Sequence, residues 1–144
     1  MTSSVLPDPT TEFGARVERR LHDEPVAWLT LVDPQGTPQP APIWFLWDGR
    51  TALVYSDKNA KRLAHLRRNP KVALHLNATA SGGDVVVLTG EVVVDDTAPA
   101  PQDNEPYLAK YRADITGPLA MTPEVFGETY NVPLRFTPHR VRGF

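Results

Sequence analysis

The residue types best suited to chemistry lie between positions 53 and 77. Ser56 is followed there by Lys58, Lys61, Arg62, Arg67, Arg68 and Lys71, in a chain with 15 Lys and Arg residues and a net charge of -2. A positive cluster on a nearly neutral protein points to a small anionic ligand rather than to nucleic acid. The stretch reads as a strand, a polar turn, a helix over residues 59–68 stopped by Asn69-Pro70, and a second strand. A helix N-terminus carries unpaired N–H groups and a partial positive charge. Ser56 adds a hydroxyl, and Lys58, Lys61 and Arg62 add cations that are unfavourable at that end unless an anion binds. Two readings fit: a phosphate grip, or a solvated basic helix. Arg67 and Arg68 occupy the last turn, where cations complement the helix dipole, and read as structural.

Other chemistry finds little support. The histidines, at 22, 65, 75 and 139, show no metal-ligand spacing, so no metal site is expected. His75 reads as a hydrogen-bonded structural residue on the polar side of a strand. There is no Gly-x-Ser-x-Gly elbow, Walker A loop or Gly-x-Gly-x-x-Gly turn, and no catalytic residue is assigned. The absence of cysteine excludes disulfides, thiol nucleophiles and thiolate metal sites. No apolar run reaches the roughly 18 residues of a membrane span, and the N-terminus lacks signal-peptide features. A cytoplasmic protein with no membrane or nucleic-acid partner is the expectation.

The elements that must position the basic cluster follow from periodicity. Residues 1–10 read as a flexible lead-in and 11–144 as a single domain. Phe13, Val17 and Leu21 recur at helical spacing over residues 11–22. Residues 27–32 form a strand, the Asp33–Gly36 sequence a turn, and residues 38–47 a second strand. That second strand is apolar on both faces. Ile43, Phe45 and Trp47 point one way and Trp44 and Leu46 the other, so its outer face needs a helix, a partner or a ligand. Asp48-Gly49 signals a two-residue hairpin into a third strand over 51–55. Residues 72–77 and 85–94 give a fourth and a fifth strand, with Gly90 at a bulge. A helix from Pro106 carries Tyr107, Leu108 and Tyr111 on one side. Thr122-Pro123 starts another, and residues 132–141 close the chain as a sixth strand. Mainly sequential strands with one helical crossover predict an α+β, mainly β, six-stranded antiparallel barrel with peripheral helices.

The run TPQPAPIWFLWDG (37–49), followed by LVYSDKNAKRLAHLRRNPKVALHL (53–76), resembles the pyridoxamine 5'-phosphate oxidase-like split β-barrel family. Within it the chain is most similar to the actinobacterial branch that uses the deazaflavin coenzyme F420. The resemblance implies an FMN-binding-like fold and a cofactor at a homodimer interface. The ring would lie on Pro42, Ile43 and Trp44, and the ribityl chain and phosphate by Val54, Tyr55 and Ser56. The phosphate-binding basic position, most often lysine in that branch, falls on Arg62, with Lys61 beside it and Lys58 as a tail contact. The implied activity is hydride transfer between F420 and a small organic substrate. The alternatives are an FMN-dependent enzyme on the same barrel and a non-catalytic protein that carries the cofactor or a tetrapyrrole.

Overall fold

A computed structural model describes residues 5–144; positions 1–4 of the expected lead-in lie outside the described residues. Seven strands form one antiparallel sheet: β1 (Ala27–Val32), β2 (Pro38–Ile43), β3 (Leu46–Trp47), β4 (Ala52–Ser56), β5 (Lys71–His75), β6 (Val86–Val94) and β7 (Val132–Gly143). Their order is β2-β1-β5-β6-β7-β4-β3. The two edge strands, β2 and β3, are consecutive in sequence and separated only by Trp44 and Phe45. The sheet must therefore curl until its edges meet. The chain closes it by crossing from one edge to the other, without a hydrogen-bonded ladder between them.

This crossing corrects the six-strand expectation, because residues 38–47 form two strands and not one. The reason is local. The Phe45 N–H donates to Tyr111 Oη at 2.9 Å, and the Phe45 carbonyl accepts from Lys110 Nζ at 2.8 Å. Side chains of a helix satisfy the backbone groups that a continuous strand would have offered to a neighbour. The Asp48-Gly49 hairpin also differs from expectation. Strand pairing ends at Trp47 and Ala52, leaving a four-residue loop in which Asp48 Oδ1 accepts from Arg50 N and Thr51 N. An acceptor side chain at that position favours the longer turn.

Among the described residues, four α-helices and a short 3-10 turn (Pro101–Asp103) complete the fold: α1 (Glu12–Asp23), α2 (Arg62–Arg68), α3 (Glu105–Thr116) and α4 (Pro123–Thr129). Thr11, Asn104 and Thr122 cap α1, α3 and α4 through side-chain oxygens. The apolar faces divide into two cores. Ile43, Phe45, Trp47 and Val54 join Val17, Leu21, Leu74, Leu88 and Phe136 in the main core. On the opposite face, Leu53 and Tyr55 meet Tyr107, Leu108, Tyr111, Ile115 and Phe126, with Trp44 and Leu46 packed against them. The outer face of the second predicted strand thus found its cover in α3 and α4, which lie between β6 and β7 in the chain.

Gly90 marks the register shift between β6 and β7. Thr89 faces Arg140 and Gly90 faces Pro138, so the extra residue, His139, belongs to β7 and not to the glycine's own strand. A Cβ at Gly90 would stand 2.0 Å from the Thr137 carbonyl oxygen, which explains the glycine. No helix among the described residues is long and apolar enough to cross a membrane.

Lys110 stabilises the crossing at an electrostatic cost. Its ammonium lies 4.0 Å from the centre of the Phe45 ring, and burial lowers its pKa to about 8 against the pull of Asp23 and Glu24. Below about pH 8 the amine is charged in both folded and unfolded chains, and the folded state bears the full desolvation cost. Between there and the ordinary lysine value the folded protein binds fewer protons than the unfolded one, so stability should rise with pH. The gain should be on the order of 1 kcal/mol, because the amine is only half-buried and partly screened. Denaturant unfolding from pH 7 to 9.5 should show it in the wild type and not in Lys110→Met.

Candidate functional site

A cavity of about 440 Å³ opens where the Pro42–Trp44 segment passes the end of β4. Val26, Pro42, Ile43 and Trp44 form one wall, Val54, Tyr55 and Ser56 another. Tyr107, Phe126 and Tyr130 from the helical insertion close a third side, with Leu119 at the rim. Asp57, Ala60 and Arg62 make the polar end. This is the size and lining of a small-molecule site, apolar with a few convergent polar groups.

The aromatic side is tightly ordered. Trp44 stacks on Tyr111 with ring centres 4.6 Å apart and planes 5° from parallel, and it lies 5.8 Å from Phe126. Tyr107 meets Tyr55 edge-on at 4.8 Å, and Phe126 meets Tyr130 at 4.6 Å. The Tyr55 hydroxyl donates to the Pro99 carbonyl at 2.7 Å and accepts from Asn104 Nδ2 at 2.9 Å. Burial pushes the phenols of Tyr55, Tyr107 and Tyr111 above their ordinary range, so all three keep their protons at neutral pH.

The polar end differs from the helix-terminus picture drawn from the sequence. α2 begins at Arg62 rather than at residue 59 and spans seven residues, and Lys61 at its N-cap makes no side-chain cap bond. The turn before it is organised by Asp57, whose Oδ1 accepts the Asn59 N–H at 2.8 Å and whose carbonyl accepts the Ala60 N–H at 3.1 Å. The basic residues accordingly separate. Arg62 lines the cavity half-buried, and among the described residues no hydrogen bond or ion pair holds its guanidinium. Burial lowers its pKa from the ordinary arginine value while Asp57 counteracts the shift, and a guanidinium stays charged under such conditions. Lys58 turns away to donate to the Glu128 carbonyl at 3.2 Å, and it lines a second hollow between α2 and β6–β7. Lys61 is exposed and lines neither. Ser56, which lines the cavity, is only 2% exposed, and its hydroxyl donates to the Asp57 carbonyl at 3.1 Å.

The fold therefore gathers Pro42, Ile43, Trp44, Val54, Tyr55, Ser56 and Arg62 around one space and leaves Lys58 and Lys61 outside it. Sequence reasoning missed Asp57 and the aromatic cover of Tyr107, Phe126 and Tyr130. The pairing of Tyr107 with Tyr111 on one helix face was visible, but nothing in the pattern said which strand that face would meet. His75 lies elsewhere, with Nδ1 3.1 Å from the Leu76 carbonyl and its ring stacked against Trp28.

A curled antiparallel sheet whose edges are joined by a strand crossing is compatible with a split barrel, and an aromatic-lined cavity lies beside that crossing. A sequence profile described as pyridoxamine 5'-phosphate oxidase matches residues 13–143, and the chain belongs to that family. Among curated protein sequences none matches. Solved structures share the fold at low identity. An F420 reductase is 20% identical with a TM-score of 0.63, the match covering 87% of this chain and 94% of that one. A conserved hypothetical protein from Mycobacterium tuberculosis is 16% identical with a TM-score of 0.67, covering 99% of this chain and 88% of that one. HutZ, a heme storage protein from Vibrio cholerae, is 16% identical with a TM-score of 0.57, covering 98% and 95%.

Proposed function

We propose that this protein is an oxidoreductase that binds coenzyme F420 in the cavity beside the strand crossing and uses it on a small organic substrate. The observation that carries the reading is that one cavity is lined both by an aromatic wall and by a half-buried Arg62 that has no hydrogen-bond or ion-pair partner among the described residues. A planar ring joined by a short chain to a phosphate matches that arrangement in both shape and charge. When bound, a deazaflavin supplies two-electron hydride chemistry toward an electron-poor double bond.

The chain's own contribution is positioning. Pro42, Ile43 and Trp44 provide a flat apolar surface whose shape is fixed by the Trp44–Tyr111 stack. Val54 and Tyr55 line the middle, and Arg62 offers a planar two-pronged donor set to a phosphate. The aromatic cover excludes water from the ring end, which strengthens every polar contact inside. No side chain is assigned as a proton donor; solvent serves, or a tyrosine at the cavity. Lys58 and Lys61, outside this space, are the cations left for an anionic tail beyond the phosphate. A second protomer completing the cavity's open side, as a homodimer, belongs to the same proposal.

FMN on the same barrel is the nearest rival. The similarity to HutZ favours a heme-carrier reading, but no histidine lines the cavity among the described residues, which leaves only its tyrosines as axial ligands. Titration with F420 and with FMN, followed by fluorescence and gel-filtration retention, tests the proposal. Tight F420 binding with FMN at least about tenfold weaker, a gap of about 1.4 kcal/mol, is the expected result. The reverse order would sink it, and binding of F420 without turnover on a panel of enones and quinones would favour a carrier.

A further inference from the structure

The charge pattern at the polar end of the cavity carries one step beyond that reading. Among the described residues lining it, Arg62 is the only cation and Asp57 the only carboxylate. The carboxylate is held in place by its bond to the Asn59 N–H, and its field reaches Arg62. Lys58 and Lys61 do not line this space, so the formal charge of the residues lining it sums to zero. That balance discriminates between phosphate types. A phosphomonoester carries about -1.5 to -2 at pH 7, whereas a phosphodiester carries one permanent negative charge. A monoanion can take the fork of Arg62 and keep its distance from Asp57. A second negative charge gains no further cation and adds repulsion in a partly desolvated site.

We propose that Asp57 is a specificity-determining residue that biases this site toward phosphodiesters and against phosphomonoesters. This inference rests on the reading that a phosphate sits at Arg62. It bears on the choice of cofactor, because the phosphate of coenzyme F420 is a diester and that of FMN a monoester.

The test compares FMN with its methyl ester, riboflavin 5'-(methyl phosphate), two ligands that share a ring and a ribityl chain and differ in phosphate charge. Wild-type protein should bind the methyl ester more tightly by flavin fluorescence titration. Asp57→Asn keeps the oxygen that accepts the Asn59 N–H, and it should tighten FMN binding about tenfold while changing the diester less than about threefold, as expected for one removed charge. Asp57→Ser, with a hydroxyl acceptor and no charge, should behave alike. Tighter wild-type binding of FMN than of the ester, or equal factors for both ligands in the variants, would overturn the inference. If wild-type protein binds F420 tightly and the variants leave the FMN-to-ester ratio unaltered, only the role of Asp57 falls. If it binds neither F420 nor either flavin, the proposed function falls and takes this inference with it.

Discussion

Tyr111→Phe should destabilise the protein by about 3 kcal/mol, a large effect for the loss of one oxygen atom. Tyr111 is fully buried, and its hydroxyl serves three backbone groups. It accepts the Phe45 N–H at 2.9 Å, donates to the Pro25 carbonyl at 2.7 Å and lies 3.1 Å from the Phe45 carbonyl. Removing it strands the buried Phe45 N–H where the chain crosses from β2 to β3, outside any strand pairing. The Phe45 carbonyl keeps its bond from Lys110, so the loss concentrates on the N–H and on Pro25. An orphaned buried donor costs about 1–3 kcal/mol, and the lost bond to Pro25 adds about 1. Chemical denaturation at pH 7 measures the difference. A loss below about 1 kcal/mol would mean that the crossing is held by packing alone and that Tyr111 is a stacking partner only. The ring stack on Trp44 survives the substitution, so ligand binding should weaken far less than stability.

The same residue shows where sequence and structure part. The individual strands were legible because alternation and turn residues are local properties. Leu29 and Leu31, Leu74, Val86 and Leu88 all lie buried as that alternation requires. The break between Ile43 and Leu46 was not legible, because its cause lies 66 residues away in the Tyr111 hydroxyl. Gly90 gave away the bulge but not its strand, since the glycine yields space to a residue opposite. The double-faced apolarity of residues 43–47 did announce that something must cover Trp44 and Leu46. That the cover is the protein's own α3 and α4 depends on tertiary packing. The basic cluster shows the limit most clearly. Charge density in the sequence marked six cations, yet the fold turns one of them, Arg62, into the cavity. Which way each side chain faces is set by a turn whose organiser, Asp57, looked like an ordinary loop residue.

Arg62→Ala should weaken binding of the phosphate-bearing cofactor by about 1.5–3 kcal/mol, the usual worth of charged hydrogen bonds in a partly buried site. In affinity that is a loss of roughly 10- to 150-fold. A distinctive companion result is expected in the ligand-free protein. Because Arg62 has no hydrogen-bond or ion-pair partner among the described residues and burial disfavours its charge, removing it should leave the unfolding midpoint unchanged or slightly raised. A residue kept for stability would behave the other way round. Arg62→Lys restores the charge but not the fork and should recover only part of the affinity. Lys61→Ala, on an exposed side chain outside the cavity, should change phosphate binding by well under 1 kcal/mol. Isothermal titration with F420 on the three variants measures the affinities, and thermal unfolding of the ligand-free Arg62→Ala protein measures the midpoint. Unchanged affinity in Arg62→Ala would remove it from the site, and a larger loss in Lys61→Ala would move the phosphate to the outer face of the turn. Weakened binding without loss of stability would mark Arg62 as a residue whose burial, only partly offset by Asp57, is balanced further when an anion occupies the cavity.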